Sequence, residues 1–145
     1  MAISPTVEAK RWMYATLTAD GVLAPLLGTR IYEVPAPPDA ADPFVAVQQY
    51  QSPSDLYTNG AILVFTDVYL KLIIVQRGTS ISSPFNLEAI DTRITTVLHG
   101  KSGVTATARV LSCVRAGPAL TAPDFDKQTG AQYAQLGSNW HVIVQ

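Results

Sequence analysis

Two histidines, one cysteine and eleven carboxylates are the side chains of this sequence that could supply acid–base, nucleophilic or metal chemistry. His99 precedes Gly100 at the end of a helical pattern, where a hydrogen-bonding or cationic side chain is ordinary helix-end chemistry. His141 sits in "NWHVIVQ", a strand-like run rich in Val and Ile. Metal centres and nucleophilic triads recruit His, Cys and carboxylates together, and no spacing here fits one. Cys113 cannot form an internal disulfide or hold a structural metal alone, and reads as a small core hydrophobe in a strand. Asp39 with Asp42, and Asp124 with Asp126, are the carboxylate pairs available for general acid–base work. Both pairs lie in proline-bearing loops, where Asp commonly makes turn hydrogen bonds. Asp67 interrupts an apolar strand and must face water or find a partner; Lys71 shares its face, which predicts an exposed sheet face with cross-strand pairing. "LHGKSG" has Gly-Lys-Ser but no earlier Gly at the phosphate-loop offset and follows a helix, so it reads as a turn. The expectation is a protein with no catalytic site, no metal and no cofactor, and the question becomes what it binds.

The bulk numbers narrow the partners. A chain of 145 residues is one domain's worth, 1 to 145, and a domain of that size buries roughly 68–70% of the surface its unfolded chain exposes. With 48% hydrophobic and 14% charged residues it belongs to the globular class, and the low charge hints at surface covered by something. Ten Lys and Arg against eleven Asp and Glu leave a net charge of −1, which provides no long-range attraction for nucleic acid. The start, "MAISPTVEAKRWM", has no continuous apolar segment, and the longest apolar run, 68 to 75, is broken by Lys71. Membrane insertion is not expected, and the cytoplasm is the expected place of synthesis and assembly.

The elements that must position any binding surface follow from pattern. Ser4-Pro5 starts a helix over about 5 to 18. Trp12 and Tyr14 lie about 200° apart on its wheel, so one ring is expected to meet a partner or a loop rather than the core. Asp20 caps a short helical turn that Gly28 stops. Strands are expected at 30 to 34 and 44 to 51, joined by a proline loop, and "SPSDLYTNG" at 52 to 60 carries turn signals. From 61 to 75 the even positions Ile62, Val64, Val68, Leu70, Leu72 and Ile74 are apolar, predicting one long strand with a fully buried face. Such a strand spans on the order of 50 Å, so it must bend or project in part as a hairpin arm. Ser83-Pro84 begins a second main helix with Leu87, Ile90, Ile94, Val97 and Leu98 on one face. A strand from 104 to 115, a Pro-rich acidic loop from 117 to 130, and a last strand with a bulge at Gly137 complete the chain. The predicted fold is α+β: a mainly antiparallel sheet of about four to five strands, two main helices on one face, and one long strand or hairpin arm.

The stretch "LTADGVLAPLLGTRIYEVPAPPDAADPFVAV" joins a helix, an Asp-initiated turn, a Gly-x-Arg-Ile-Tyr strand, a proline loop and a Pro-Phe-Val strand. It resembles the tail-terminator or tail-completion proteins of long-tailed bacteriophages, and the likeness continues through "FTDVYLKLIIVQRG", "NLEAIDTRITTVLHG" and "NWHVIVQ". Leu17, Asp20, Leu27, Gly28, Arg30, Tyr32, Pro43, Phe44 and Val45 carry most of it. The resemblance implies a structural virion protein that forms a ring, typically a hexamer, between the tail tube and the head-side connector. Such a ring ends tube growth and lets DNA pass without tight binding. Its partners would be copies of itself, the tail tube protein and the connector or stopper protein. Two departures, the longer loop at 117 to 130 and the turn-rich 52 to 60, fit partner-specific parts or another member of the neck set. Trp12, Leu56, Tyr57, Asn59, Arg77, Asp124 and Phe125 are the candidate subunit or tail-tube interface residues, with an arm expected around 56 to 60 and 77 to 82. Another neck adaptor ring, and a small α+β ligand-binding or enzyme domain using Asp39 or Asp42 in a lid, are the competing readings.

Overall fold

The computed structural model describes residues 4–34, 36–41, 43–77, 84–119, 124–125 and 132–145. In chain order these form α1 (Pro5–Thr18), α2 (Ala24–Leu27), β1 (Ile31–Glu33), β2 (Phe44–Tyr57), β3 (Leu63–Arg77), α3 (Pro84–Leu98), β4 (Lys101–Val104), β5 (Arg109–Ala119), β6 (Asp124–Phe125) and β7 (Gln132–Val144). The strands make one seven-stranded sheet in the order β1-β2-β3-β7-β5-β4, with β6 paired to β7. Every pairing is antiparallel except β1 with β2. The α+β class and the mainly antiparallel sheet are as expected; the strand number is larger. The predicted strand at 104 to 115 is a hairpin, because Thr105 Oγ1 accepts from the backbone N–H of Thr107 and Ala108 and turns the chain between β4 and β5.

Ser4 accepts from the Val7 N–H and Pro5 occupies the first turn, so α1 begins where the sequence places it. Its inward stripe is Ala9, Trp12, Met13 and Leu17, while Val7 and Tyr14 face outward. Trp12 packs in the core: it is 6% exposed, and a Cβ at Gly103 of β4 would collide with its indole. The outward ring is Tyr14. In α3, Leu87, Ile90, Ile94 and Leu98 point at the even positions of β3 and at Trp140 and Val142 of β7, forming the main core with α1. Thr66, Val68, Leu70, Leu72 and Ile74 are buried, but Ile62 is 68% exposed and Leu63 47%, so the buried face of the long strand ends short of its predicted start.

Polar ties hold the helices to the sheet. Arg93 on α3 donates to both oxygens of Asp20, at 2.7 and 3.0 Å, and Asp20 also accepts from the Leu23 N–H ahead of α2. Arg115 of β5 donates to Asp91 and Thr95 of α3, and its N–H donates to Nδ1 of His99. His99 thus secures the end of α3.

The proline loop between β1 and β2 is a crossover between parallel strands, made without a helix. It folds onto the second face of the sheet, where Ala40, Phe44, Ala46 and Val75 form a smaller core with Tyr32, Ala36 and Ile73. Tyr32 and Phe44 meet edge to face at 6.0 Å. Gly28, at φ 56, ends α2 in a conformation that L side chains rarely adopt. Arg30 then donates to the carbonyls of Leu26 and Pro43, tying α2 to the far end of the loop. At the other side of the sheet the expected bulge at Gly137 is displaced: Gly137 pairs in register with Ile73, and the irregularity lies opposite, between Arg115 and Gly117 of β5.

Candidate assembly surfaces

β2 and β3 pair beyond the body. The β3–β7 register ends at Thr66 with Val144, so residues 56 to 65 form a hairpin with, among the described residues, no third strand beside them; its base at Leu63, Val64 and Phe65 shares a cleft with Pro5, Glu8, Thr107 and Ala108. The tip is preformed: Thr58 N–H donates to the Ile62 carbonyl at 2.9 Å, Thr58 Oγ1 accepts from the Ile62 N–H, and Ala61 takes φ 57. Leu56 and Tyr57 are 48% and 54% exposed, and with Ile62 and Leu63 they make an apolar, uncharged end. The predicted turn at 52 to 60 is thus mostly strand, with only its last residues turning. Pro53 and register shifts after Gln49, after Gln51 and after Leu56 disturb β2, the kind of irregularity that blunts strand addition at an edge. The arm therefore offers side chains, not a clean backbone edge.

A second surface is a groove of about 290 Å³ between α1 and β1. Ile31 and Val47 form its buried floor, and Val7, Tyr14 and Tyr32 line it more openly. Its charges are matched within the chain: Lys10 lies 3.4 Å from Glu33, and Arg11 donates to Glu8 at 2.7 Å. Glu8 is a buried residue of α1, and the Thr105 hydroxyl donating to it, with Arg11 beside it, holds its carboxyl below the usual carboxylate range.

The third surface is the part of the second sheet face that the proline loop leaves open. Tyr69 of β3 meets Tyr50 of β2 at 6.0 Å and His141 of β7 at 4.6 Å, both edge to face. Nδ1 of His141 lies 3.9 Å from Oδ2 of Asp67, whose Oδ1 is enclosed without a hydrogen-bond partner. Asp67 thus has a cross-strand partner of the predicted kind, supplied by His141. Burial pushes the Tyr50 phenol up, and Tyr69 and Asp67 add to it.

The candidate interface residues divide among three places. Leu56, Tyr57 and Asn59 stand on the arm, and Trp12 is in the core. Arg77, Asp124 and Phe125 come together in the backbone register at the opposite end of the sheet, where Tyr133 pairs with both Arg77 and Asp124. The two backbone positions are roughly 45 Å apart along β3. The predicted second part of the arm, 78 to 82, and most of the 117 to 130 loop lie outside the described residues. Ile62, Leu63, Val7 and Tyr14 were absent from the sequence-based interface set. Ile62 continues the alternation of the buried strand, and only the end of β7 reveals that the body has stopped.

Among the described residues no group of three or more His, Cys, Asp or Glu could hold a metal ion, and no helix is long and apolar enough to cross a membrane. Cys113 is enclosed, and burial pushes its thiol up to about 12. No family model matches the chain, and no curated protein matches it. Among solved structures it is similar to a chain of the "Virion of native gene transfer agent (GTA) particle", with a TM-score of 0.69 and 16% identity over 98% of this chain and 99% of that one. The two share a fold from end to end.

Proposed function

We propose that this chain is a structural virion protein that forms a ring at the head–tail junction, ends the tail tube and joins it to the head-side connector while DNA passes through. The observation that carries this reading is the end-to-end fold likeness to a chain of a gene transfer agent virion, with neither protein adding a domain to the other. The sequence resemblance to tail terminators points the same way. Three of its nine principal residues act here as fold determinants: Asp20 braces the turn by accepting from Arg93, Gly28 stops α2, and Arg30 staples the proline loop. Separate apolar and polar surfaces on one chain suit a subunit with two unlike neighbours. A net charge of −1 suits a lumen through which DNA must slide. The groove between α1 and β1 is open and mainly apolar, which argues against a small polar ligand as its natural occupant.

The reading is tested by native mass of the purified chain, followed by binding to isolated tail tubes and, separately, to portal–adaptor complexes. A ring-sized mass with binding to tubes is the expected result. Binding to portal or adaptor complexes alone identifies a neck adaptor instead, and a strict monomer that ignores tubes contradicts both assignments.

A further inference from the structure

We propose that Asn59, at the tip of the β2–β3 hairpin, is a site of self-modification that loses its side-chain amide to attack by the chain's own backbone, without an enzyme. The backbone nitrogen of Gly60 gives its proton to hydroxide and bonds to the side-chain amide carbon of Asn59. The tetrahedral adduct expels ammonia and leaves a five-membered cyclic imide. Water then opens the imide at either carbonyl, giving aspartate or isoaspartate, in which the backbone runs through the former side chain. No oxidant or reductant takes part. The inference goes beyond the ring reading and does not depend on it.

Four observations support it. Asn59 and Gly60 are exposed, and the turn's hydrogen bonds bypass them: Thr58 N–H donates to Ile62, Ala61 N–H donates to Thr58, and Gly60 N–H has no partner among the described residues. The attacking nitrogen is also unshielded, since a Cβ built at Gly60 would meet nothing nearer than Thr58 Oγ1 at 3.9 Å. Third, the turn does not need its glycine, because the left-handed position is occupied by Ala61 at φ 57 while Gly60 lies outside that region. An alanine so placed is strained and a two-stranded hairpin end is marginal in water, so the tip opens readily enough to bring the nitrogen onto the amide carbon. Fourth, the competing positions are protected. Asn139 is held in the ladder between Lys71 and Gly117 and is followed by the buried Trp140, and Asn86 of α3 is followed by the buried Leu87. The one Asp-Gly pair, Asp20-Gly21, has its carboxylate fixed by Arg93 and the Leu23 N–H, and an ionised carboxylate is a poor electrophile. The product puts a negative charge on "LYTNGAIL", which has none, and isoaspartate lengthens the backbone between Tyr57 and Leu63. The tip thereby changes with time from uncharged to charged, which opposes its burial against any apolar surface.

The test incubates the full chain at mildly alkaline pH and maps its peptides by mass spectrometry, beside the same chain unfolded in urea and the Gly60→Ala chain. Gly60→Ala keeps the fold, because the site has an ordinary φ and open space. The expected result is the mass gain of an amide-to-acid exchange confined to the peptide holding Asn59, with aspartate and isoaspartate both present and oxygen taken from isotopically labelled water. Gly60→Ala is expected to slow the gain about tenfold, because a Cβ shields the nitrogen and stiffens the backbone. No gain at Asn59 in the folded chain overturns the proposal, whatever the unfolded chain does. An equal gain at Asn139 removes the selectivity that the fold is claimed to confer and overturns it too. A gain that Gly60→Ala leaves unchanged, with aspartate as its sole product, shows direct hydrolysis and excludes attack by the backbone.

Discussion

At the scale of single residues, the polar side chains that could have suggested chemistry are mostly structural. Glu8 and Asp20 are the clearest cases. Both carboxyls are held below their ordinary values, Glu8 chiefly by the Thr105 hydroxyl and Asp20 chiefly by Arg93. A carboxyl depressed in the folded state contributes stability that is fully present above its unfolded pKa and is lost as pH falls through the folded one. With ordinary values of 4.5 and 3.8, the chain is expected to hold its urea midpoint from neutral pH to about pH 5 and lose it steadily below pH 4. Asp20→Asn is expected to lower stability at neutral pH and flatten that acid decline; an unchanged slope would show that the Arg93 pair contributes nothing. Gly103 presents a steric case. It is needed for closeness and not for a special φ, because the rigid Trp12 ring occupies the space of its missing Cβ. Gly103→Ala is expected to cost roughly 1–3 kcal/mol by overpacking, read as a shift in urea midpoint.

At the scale of elements, what was legible in the sequence and what was not have different physical sources. Both helix starts and the second helix's inward face follow from Ser-Pro pairs and apolar spacing, which are local signals, and α1 and α3 begin where these place them. The orientation of α1 did not follow, because Trp12 and Tyr14 are both large and apolar, and only the approach of Gly103 from β4 decides between them. The long strand was legible, but the point where its buried face ends was not, since that depends on where β7 stops, 78 residues further along the chain at Val144 opposite Thr66. The interface candidates divided for the same reason: exposure of Leu56 and Tyr57 could be read from turn-rich surroundings, whereas the groove exists only once α1 crosses beside β1. Because residues 56 to 59 are all exposed and end the hairpin, deleting them is expected to leave a cooperative thermal transition of the folded chain in place. The same deletion is expected to abolish ring assembly and tube capping. A shortened arm that still assembled would remove the arm from the account.

At the scale of the whole molecule, the surfaces bear on the proposed function: the chain has few charges, an exposed apolar hairpin tip and an apolar recess. The sheet also has two distinct ends, the arm at one and the meeting of β3, β7 and β6 at the other, an asymmetry that suits the proposed place between two different partners. A ring of the proposed kind can close on a template through many simultaneous weak contacts, so the proposed function does not require the free chain to have the ring's mass. The decisive measurement is electron microscopy of the purified chain incubated with tail tubes from its own particle. The account predicts one ring of density at a single end of each tube, with tube length unchanged on further addition of tube protein. Tubes with bare ends that continue to grow in the presence of excess chain would contradict it.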